Sequence, residues 1–282
     1  MRKTTLVEID RQLGLIQQFF VEGRAPAPTF FKPFYMAALS CAIRASSVTD
    51  FNLRGTAADY ALRMEVWEAA GFDPPRPARK RAPNRFQPCR ALHDAQQMDR
   101  SARSIAGVFR ATRSSEDDDL FTVFHELIEN CFSHSAVDDG HFGVTCAQCW
   151  PNGNLGQIAI VDSGIGVRRS LSENRSLLGR LELENSCEMA LEKGVSGKLG
   201  RGHSGYGLAL AAGVAHHFSA NLILVSGDEA VRVFGDRSES SCLVNGWRGS
   251  MVLFEWALNR RLDTAIVYDE WSEEEEDDEF MF

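Results

Sequence analysis

Three side chains within residues 120–135 could act together in chemistry. Apolar residues recur in this stretch at helical spacing, which predicts a single helix with one side facing a core. Glu126, Asn130 and His134 are each four residues apart, so they would stack along one face of that helix. A carboxylate, a carboxamide and an imidazole in such a row could orient a water molecule and hold a metal ion. A solvated polar face is the alternative interpretation of this helix taken alone.

A strand that ends in a glycine turn comes next along the chain. Residues 158–167 have the sequence IAIVDSGIGV, in which a buried strand would deliver Asp162 to its end. Gly164 and Gly166 follow, and glycine permits both a tight turn and a close approach of the backbone to a ligand. The pattern indicates a ligand contact at this strand end, although an Asp-x-Gly-x-Gly motif is common by itself.

A second glycine-rich turn precedes a predicted helix at residues 208–218. The first turn of a helix presents free backbone N–H groups and the positive end of the helix dipole, a setting that suits phosphate. Lys198 and Arg201 flank this turn, and they would either neutralise phosphate charge or stay solvated. The glycines of the turn are Gly200, Gly202, Gly205 and Gly207.

The three stretches, in this order, resemble the GHKL superfamily, the histidine kinase-like ATPases with the Bergerat fold. That superfamily includes DNA gyrase, the large heat-shock chaperones and the sensor histidine kinases. The resemblance covers residues 100–258, in which residues 167–201 occupy the place of the family's ATP lid. It implies an α+β fold, namely a two-layer sandwich of a mixed sheet covered by helices. It also implies a stand-alone protein that binds ATP with Mg²⁺.

The resemblance gives each matching residue an expected role. Glu126 stands where hydrolysing members keep the glutamate that activates water, and Asn130 would bind Mg²⁺. Asp162 would accept a hydrogen bond from the adenine amino group, beside the hydroxyl of Ser250, which follows Gly249 where the family often has Gly-Thr. The other residues expected to contact the nucleotide are His134, Gly164, Gly166, Lys198, Arg201, Gly202, Gly205 and Gly207.

The N-terminal quarter of the chain predicts a separate unit. Residues 1–72 contain helical patterns at 5–20, 34–45 and 57–70 and a short strand candidate at 51–55, which indicates a small α/β domain. This order weakly resembles part of a STAS-like module. Residues 73–90 hold five prolines and six basic residues. Because proline interrupts helices and such stretches stay extended, they predict an interdomain linker.

The remainder predicts one nucleotide-binding domain and a tail. Residues 91–262 contain, besides the motifs, a helical pattern at 91–112, a hairpin at 141–150 and 157–161, and later strands at 220–229 and 250–258. The segment 167–201 contains a helix candidate at 184–193. We expect residues 170–203 to be mobile without nucleotide. Residues 263–282 are dominated by acidic side chains, which repel one another and predict a disordered tail.

Composition limits the partners that the chain could have. The net charge is −9, but nine acidic residues lie in 269–282, and without them the acidic residues equal the 30 basic ones. Nucleic acid is therefore not an expected partner. No apolar run reaches the ~18 residues that span a bilayer, and residues 1–10 do not form a secretion signal. The sequence predicts a cytoplasmic protein without membrane contact.

Two cysteines, Cys146 and Cys149, form a lone CxxC pair. A strand would place the two thiols on opposite faces, so they are interpreted as packing residues rather than zinc ligands.

Three functions fit these motifs. Glu126 favours slow ATP hydrolysis that drives a switch in the lid and in partner contacts. A protein kinase is the alternative, either a serine kinase of the anti-sigma type or an orphan histidine kinase, although a recognisable acceptor histidine is missing. A nucleotide-binding scaffold without turnover is the third. A protein partner is expected at the N-terminal domain or the lid, and a homodimer stays open.

Overall fold

A five-stranded sheet forms the centre of the computed structural model, which describes residues 2–22, 30–53, 56–78, 85–110, 119–134, 140–198 and 205–280. The strand order is β1-β2-β3-β5-β4, and every neighbouring pair is antiparallel. The antiparallel sheet with packed helices agrees with the predicted α+β sandwich, but described helices cover both faces of the sheet, so the prediction of two layers was wrong. The prediction of a mixed sheet was wrong, because the hairpins β2–β3 and β4–β5 are joined by the antiparallel pairing of β3 with β5. The strands are β1 (Phe86–Leu92), β2 (Gly143–Trp150), β3 (Leu155–Val161), β4 (Asn221–Phe234) and β5 (Arg237–Trp256).

One face of the sheet is covered by helices α5 (Gln97–Arg110), α6 (Leu120–His134) and α10 (Gly207–His217). The predicted helix over residues 120–135 is confirmed as α6. Its apolar side is buried against β-strand residues, with Phe124 5.5 Å from the Trp256 ring. Burial of this side fixes the rotation of α6, so the opposite polar side, which carries Glu126 and Asn130, is directed away from that core.

The other face of the sheet is covered by N-terminal helices, which are α1 (Leu6–Glu22), α2 (Pro33–Arg44), α3 (Thr56–Arg63) and α4 (Val66–Ala70). These helices share one core with Cys146 and Leu253 of the sheet. The strand predicted at residues 51–55 does not form at residues 51–53, which are the part of it that the structure describes. The N-terminal helices pack on the five-stranded sheet instead. Cys149 faces the opposite core, which confirms the predicted placement of the CxxC pair. Among the described helices, none is both long and apolar enough to cross a membrane.

The predicted linker, residues 73–90, ends in an edge strand. Residues 86–90 belong to β1, and the backbone N–H of Cys89 donates to the carbonyl oxygen of Met64 (2.8 Å) instead of to β2. Pro88 lies at this irregularity, where the register shifts between Gln87 and Arg90. An edge strand with a bulge tolerates proline because one side of its backbone needs no ladder partner. Proline content therefore indicated a linker where a strand begins.

Residues 167–198, the described part of the segment expected to be a lid, pack against β4. It contains the short helices α7 (Val167–Leu171), α8 (Leu178–Leu181) and α9 (Ser186–Met189), the last much shorter than the predicted helix at 184–193. Arg168 donates two hydrogen bonds to Glu229 of β4 (2.9 and 2.5 Å), and the N–H of Ser186 donates to the same carboxylate (2.9 Å). Four buried apolar side chains, Leu171, Leu181, Cys187 and Met189, provide the packing that the polar composition concealed.

The acidic C-terminus continues as a helix, α11 (Ala265–Phe280), where the sequence predicted disorder over 263–282. The prediction was wrong for this part because the tail carries apolar anchors in its first turns. Val267 is buried, and Trp271 packs beside Tyr206 with a ring separation of 5.3 Å. Thr264 precedes the helix, and its N–H and hydroxyl both donate to Asp119 Oδ2 (2.8 Å each).

A buried carboxylate fastens the N-terminal arm to the sheet. Glu255 of β5 is fully buried and accepts hydrogen bonds from the N–H and hydroxyl of Thr4 (2.8 and 2.7 Å). Gln157 and Asn221 donate to the same carboxylate from the neighbouring strands. A buried charge is tolerated when hydrogen-bond donors surround it, so this cluster connects residues near the N-terminus to three strands.

Replacing Glu255 by glutamine should lower the free energy of unfolding by about 2–4 kcal/mol. The new amide would direct a donor at groups that already donate, leaving buried donors unsatisfied. Urea unfolding followed by circular dichroism measures the change. The matched control is Glu239→Gln on the same strand, where an exposed ion pair with Arg232 (2.9 Å) should contribute less than about 1 kcal/mol. Equal midpoints for the two variants would contradict the prediction.

Candidate functional site

A single pocket receives side chains from all three sequence motifs. Glu126 and Asn130 come from α6, Asp162 follows β3, Gly207 begins α10, and Gly205 lies two residues before that helix. The full lining in the described residues is Glu126, Glu129, Asn130, Asp162, Gly166, Val167, Ser170, Leu171, Ala190, Val195, Ser196, Gly197, Gly205, Tyr206, Gly207, Leu208, Leu224, Ser250 and Val252.

Asp162 is an almost fully buried carboxylate at the end of β3. Its Oδ1 accepts a hydrogen bond from the N–H of Gly164 (2.7 Å), and its Oδ2 accepts one from the Ser250 hydroxyl. Burial raises the pKa of Asp162 from 3.8 to about 6, although the hydrogen bonds from Ser250 and Gly164 oppose that rise. A carboxylate has about four acceptor positions, so it can still accept from a ligand donor.

Two glycines and a serine set the shape of the turn around Asp162. Gly249 has a φ of +98°, and a side chain there would collide with the carbonyl oxygen of Asp162. Gly166 has a φ of +79°, and a Cβ on it would lie 2.8 Å from the Ser226 hydroxyl. That hydroxyl donates to the Gly249 carbonyl (2.7 Å) and accepts from the N–H of Val167 (2.8 Å). Sequence reasoning assigned no role to Ser226, because a serine within a strand has no distinguishing pattern.

Apolar side chains form much of the remaining wall. Leu224 and Val252 come from β4 and β5, and Leu171 comes from α7. An apolar wall with a few polar groups directed inward is typical of a site for a flat, partly apolar ligand group. The other apolar side chains of the lining are Val167, Ala190, Val195 and Leu208.

The polar face of α6 contributes Glu126, Glu129 and Asn130. The Asn130 amide N–H donates to the carbonyl oxygen of Glu126 (3.1 Å), so the amide oxygen is the atom offered to a ligand. Burial raises the pKa of Glu126, and the nearby Glu129 carboxylate raises it further, whereas His125 lowers it. One ligand atom each from His125, Glu126 and Glu129 lie within 4.8 Å of one another. Sequence reasoning did not select Glu129, which is one helical turn from Glu126.

The N-terminus of α10 opens into the same pocket. Tyr206 precedes the helix without a side-chain capping hydrogen bond, so the first N–H groups depend on other partners. Gly207 lies against α6, because a Cβ on it would come within 2.8 Å of Glu126 Oε2. Gly205 has a φ of +73° and allows this backbone to approach Val195. In the part of the chain that the structure describes, no lysine or arginine lines the pocket.

The remaining predicted site residues are placed as follows. Gly164 does not line the pocket but holds Asp162 through its N–H. Lys198 is outside the lining, with its N–H bonded to the Ser196 hydroxyl (3.1 Å). The backbone of His134 ends α6, and its side chain lies outside the described residues. Arg201 and Gly202 also lie outside them.

Comparison with known proteins gives no family for this chain. No family model, no curated protein and no solved structure matches it. The function is therefore inferred from the pocket and the chemistry of its residues.

Proposed function

We propose that this chain binds ATP in the pocket between α6, β3 and α10 and hydrolyses it slowly, as a protein of the GHKL type. The observation that carries the proposal is the convergence of Asp162, Asn130 and Glu126 with the glycine turn of α10 in one pocket. These residues come from three separate motifs, more than 80 residues apart from first to last. A fold alone does not fix a function, so the function is inferred from the residues of the site.

Adenine fits the end of the pocket that contains Asp162. A buried carboxylate accepts but cannot donate hydrogen bonds while ionised, so it complements the adenine amino group. Guanine presents a carbonyl oxygen at that place and would meet an acceptor. The apolar side chains Leu171, Leu224 and Val252 provide surface for the rings.

The phosphates fit the other groups. The first backbone N–H groups of a helix have no partner within the helix and suit phosphate oxygens, and α10 begins at this pocket. Because no basic side chain lines the described pocket, the charge of a triphosphate needs a cation as well. Asn130, with Glu126 and Glu129 nearby, offers the hard oxygen atoms that Mg²⁺ prefers, so these residues fit the ion that the family resemblance implies. A bound Mg²⁺ would supply charge neutralisation to the phosphate oxygens.

Glu126 is the residue that would make the site hydrolytic. Its half-buried carboxylate lies against Gly207, beside the N-terminus expected to hold phosphate. There it would accept a proton from a water molecule whose oxygen attacks the terminal phosphorus, while the bond to the bridging oxygen breaks and ADP leaves. Phosphoryl transfer depends mostly on such positioning and on charge stabilisation.

Incubation with γ-labelled ATP and Mg²⁺ tests the proposal, with labelled GTP as the matched comparison. We expect free labelled phosphate from ATP and none above background from GTP. Label on the protein, or on an added partner protein, would instead support the kinase alternative. Binding without either product would support the scaffold, and the absence of ATP binding by calorimetry would overturn all three.

A further inference from the structure

Helix α11 lies against the elements that form the mouth of the pocket. Its start is fixed to the residue preceding α6 by the two hydrogen bonds from Thr264 to Asp119. Val267 of α11 packs closely over Gly213 of α10, since a Cβ on Gly213 would lie 2.7 Å from Val267 Cγ1. His217 at the end of α10 pairs with Glu270 (2.9 Å). The C-terminal helix thus packs on α10, which lines the pocket, and the residue before it is bonded to the residue before α6.

Trp271 connects this helix to the pocket lining itself. Its ring is 5.3 Å from the ring of Tyr206, which lines the pocket between Gly205 and Gly207. Lys193 donates to the carbonyl oxygen of Trp271 (3.0 Å), and its ammonium lies 5.6 Å from the centre of the Trp271 ring. The segment before α10 is therefore held to α11 by an aromatic contact and by a cation.

The second half of α11 has an acidic sequence that disfavours helix formation. Seven consecutive acidic residues, 273–279, occupy the end of the helix where the dipole is already negative. Like charges three and four residues apart destabilise a helix. The docked first half must compensate, so the docking of α11 is expected to be among the less stable parts of the fold.

We propose that Trp271 is a positioning residue for the pocket, and that α11 is a strap whose docking holds Tyr206 and the turn at Gly205–Gly207 in place for a ligand. Docking of the strap and occupancy of the pocket then stabilise each other, because coupling between two sites is reciprocal. The part of this proposal that concerns nucleotide rests on the proposed function. The part that concerns the order of the pocket mouth does not.

Hydrogen exchange of the full chain without ligand is the first test. In Trp271→Ala, amides of residues 264–272 and of 205–210 should both exchange about tenfold faster or more, while those of β3 stay unchanged. Trp271→Phe keeps an aromatic ring and should restore most of the protection. Ile266→Ala is the matched control, since Ile266 is 41% exposed on the same helix.

Gly213→Ala reaches the same contact from the opposite side. The new methyl group would push against Val267, whereas alanine by itself is more favourable than glycine in the interior of α10. We expect faster exchange at 264–272 and at 205–210 without loss of global stability. Unchanged exchange at 205–210 in a variant whose α11 is deprotected would overturn the proposal, and so would an α11 that neither variant deprotects.

The rate of dissociation of a fluorescent ATP analogue is the second test. Trp271→Ala should release it about tenfold faster, with a smaller change in the association rate, within the usual range for coupled sites. In the parent chain the analogue should slow exchange at 264–272. The coupling would be overturned if the parent and Trp271→Ala released the analogue at the same rate and the analogue left exchange at 264–272 of the parent unchanged. If the parent chain binds no nucleotide, the proposed function fails, and the ligand-free exchange still decides whether α11 orders the pocket mouth.

Discussion

Replacing Glu126 by glutamine should lower the rate of phosphate release from ATP by about 10²–10⁴-fold while ATP still binds. That range is the usual contribution of a positioned general base. Glutamine keeps the size of the side chain that lies against Gly207, so the contact between α6 and α10 persists. It removes the carboxylate that would take the proton from water. The expected result is therefore a loss of turnover without a loss of affinity.

Single-turnover phosphate release and calorimetric ATP binding, measured on the same preparation, separate the two effects. Glu188→Gln is the matched control, because Glu188 is an exposed glutamate on α9 and does not line the pocket. Asn130→Ala should lose binding as well, since it removes an oxygen expected to hold the cation. Release by Glu126→Gln at the parent rate would exclude Glu126 as the base and leave the kinase or the scaffold.

The pH dependence of turnover is a second test of Glu126. A base must be ionised, so turnover should rise with pH through the pKa of Glu126, which burial and Glu129 raise. Glu129→Gln removes the nearby negative charge and should move this acidic limb of the profile to lower pH. A limb that does not move would show that another group controls turnover.

The sequence predicts those parts of the fold in which periodicity and packing agree. Helix α6 and the hairpin of β2 and β3 lie where their apolar patterns indicate. Strand β1 was not predicted, because proline and arginine dominate the residues around it and edge strands tolerate proline. Helix α11 escaped because its acidic composition outweighs two apolar anchors, Val267 and Trp271. Local composition cannot report that a distant surface is available for docking.

The candidate site divides in the same way. Asp162, Asn130 and Glu126 were selected from helical spacing, a glycine turn and the family resemblance of these stretches, and the structure brings them into one pocket. Tyr206 and Ser226 could not be selected, because their roles arise from contacts with Trp271 and with Gly249 that lie far away along the chain. Gly249 had a signal, the glycine before Ser250, but its requirement for a positive φ is visible only in three dimensions.

Asp162→Asn should abolish measurable selectivity for ATP, with a loss of affinity of about 100-fold or more. Asparagine keeps its oxygen on the N–H of Gly164, so its NH₂ group would be left facing the pocket and the Ser250 hydroxyl. That hydroxyl can rotate to accept, but the adenine amino group is also a donor and would meet a donor. Mismatched polar groups in a buried site reject a ligand strongly. Calorimetry with ATP and GTP measures the change.

The same substitution should leave the ligand-free protein as stable as the parent at pH 7, or more stable. Because the folded pKa of Asp162 is about 6 and its ordinary value is 3.8, the folded state binds more protons between these pH values. The stability linked to this group is therefore present below pH ~4 and lost as the pH rises through ~6, a cost of about 2–3 kcal/mol at pH 7. Asparagine has no such cost. Thermal unfolding of parent and variant at pH 4.5 and pH 7 should show a dependence in the parent that the variant lacks. A variant that loses both stability and affinity would indicate a structural carboxylate, whereas one that loses affinity alone would indicate that the buried charge is kept for the ligand.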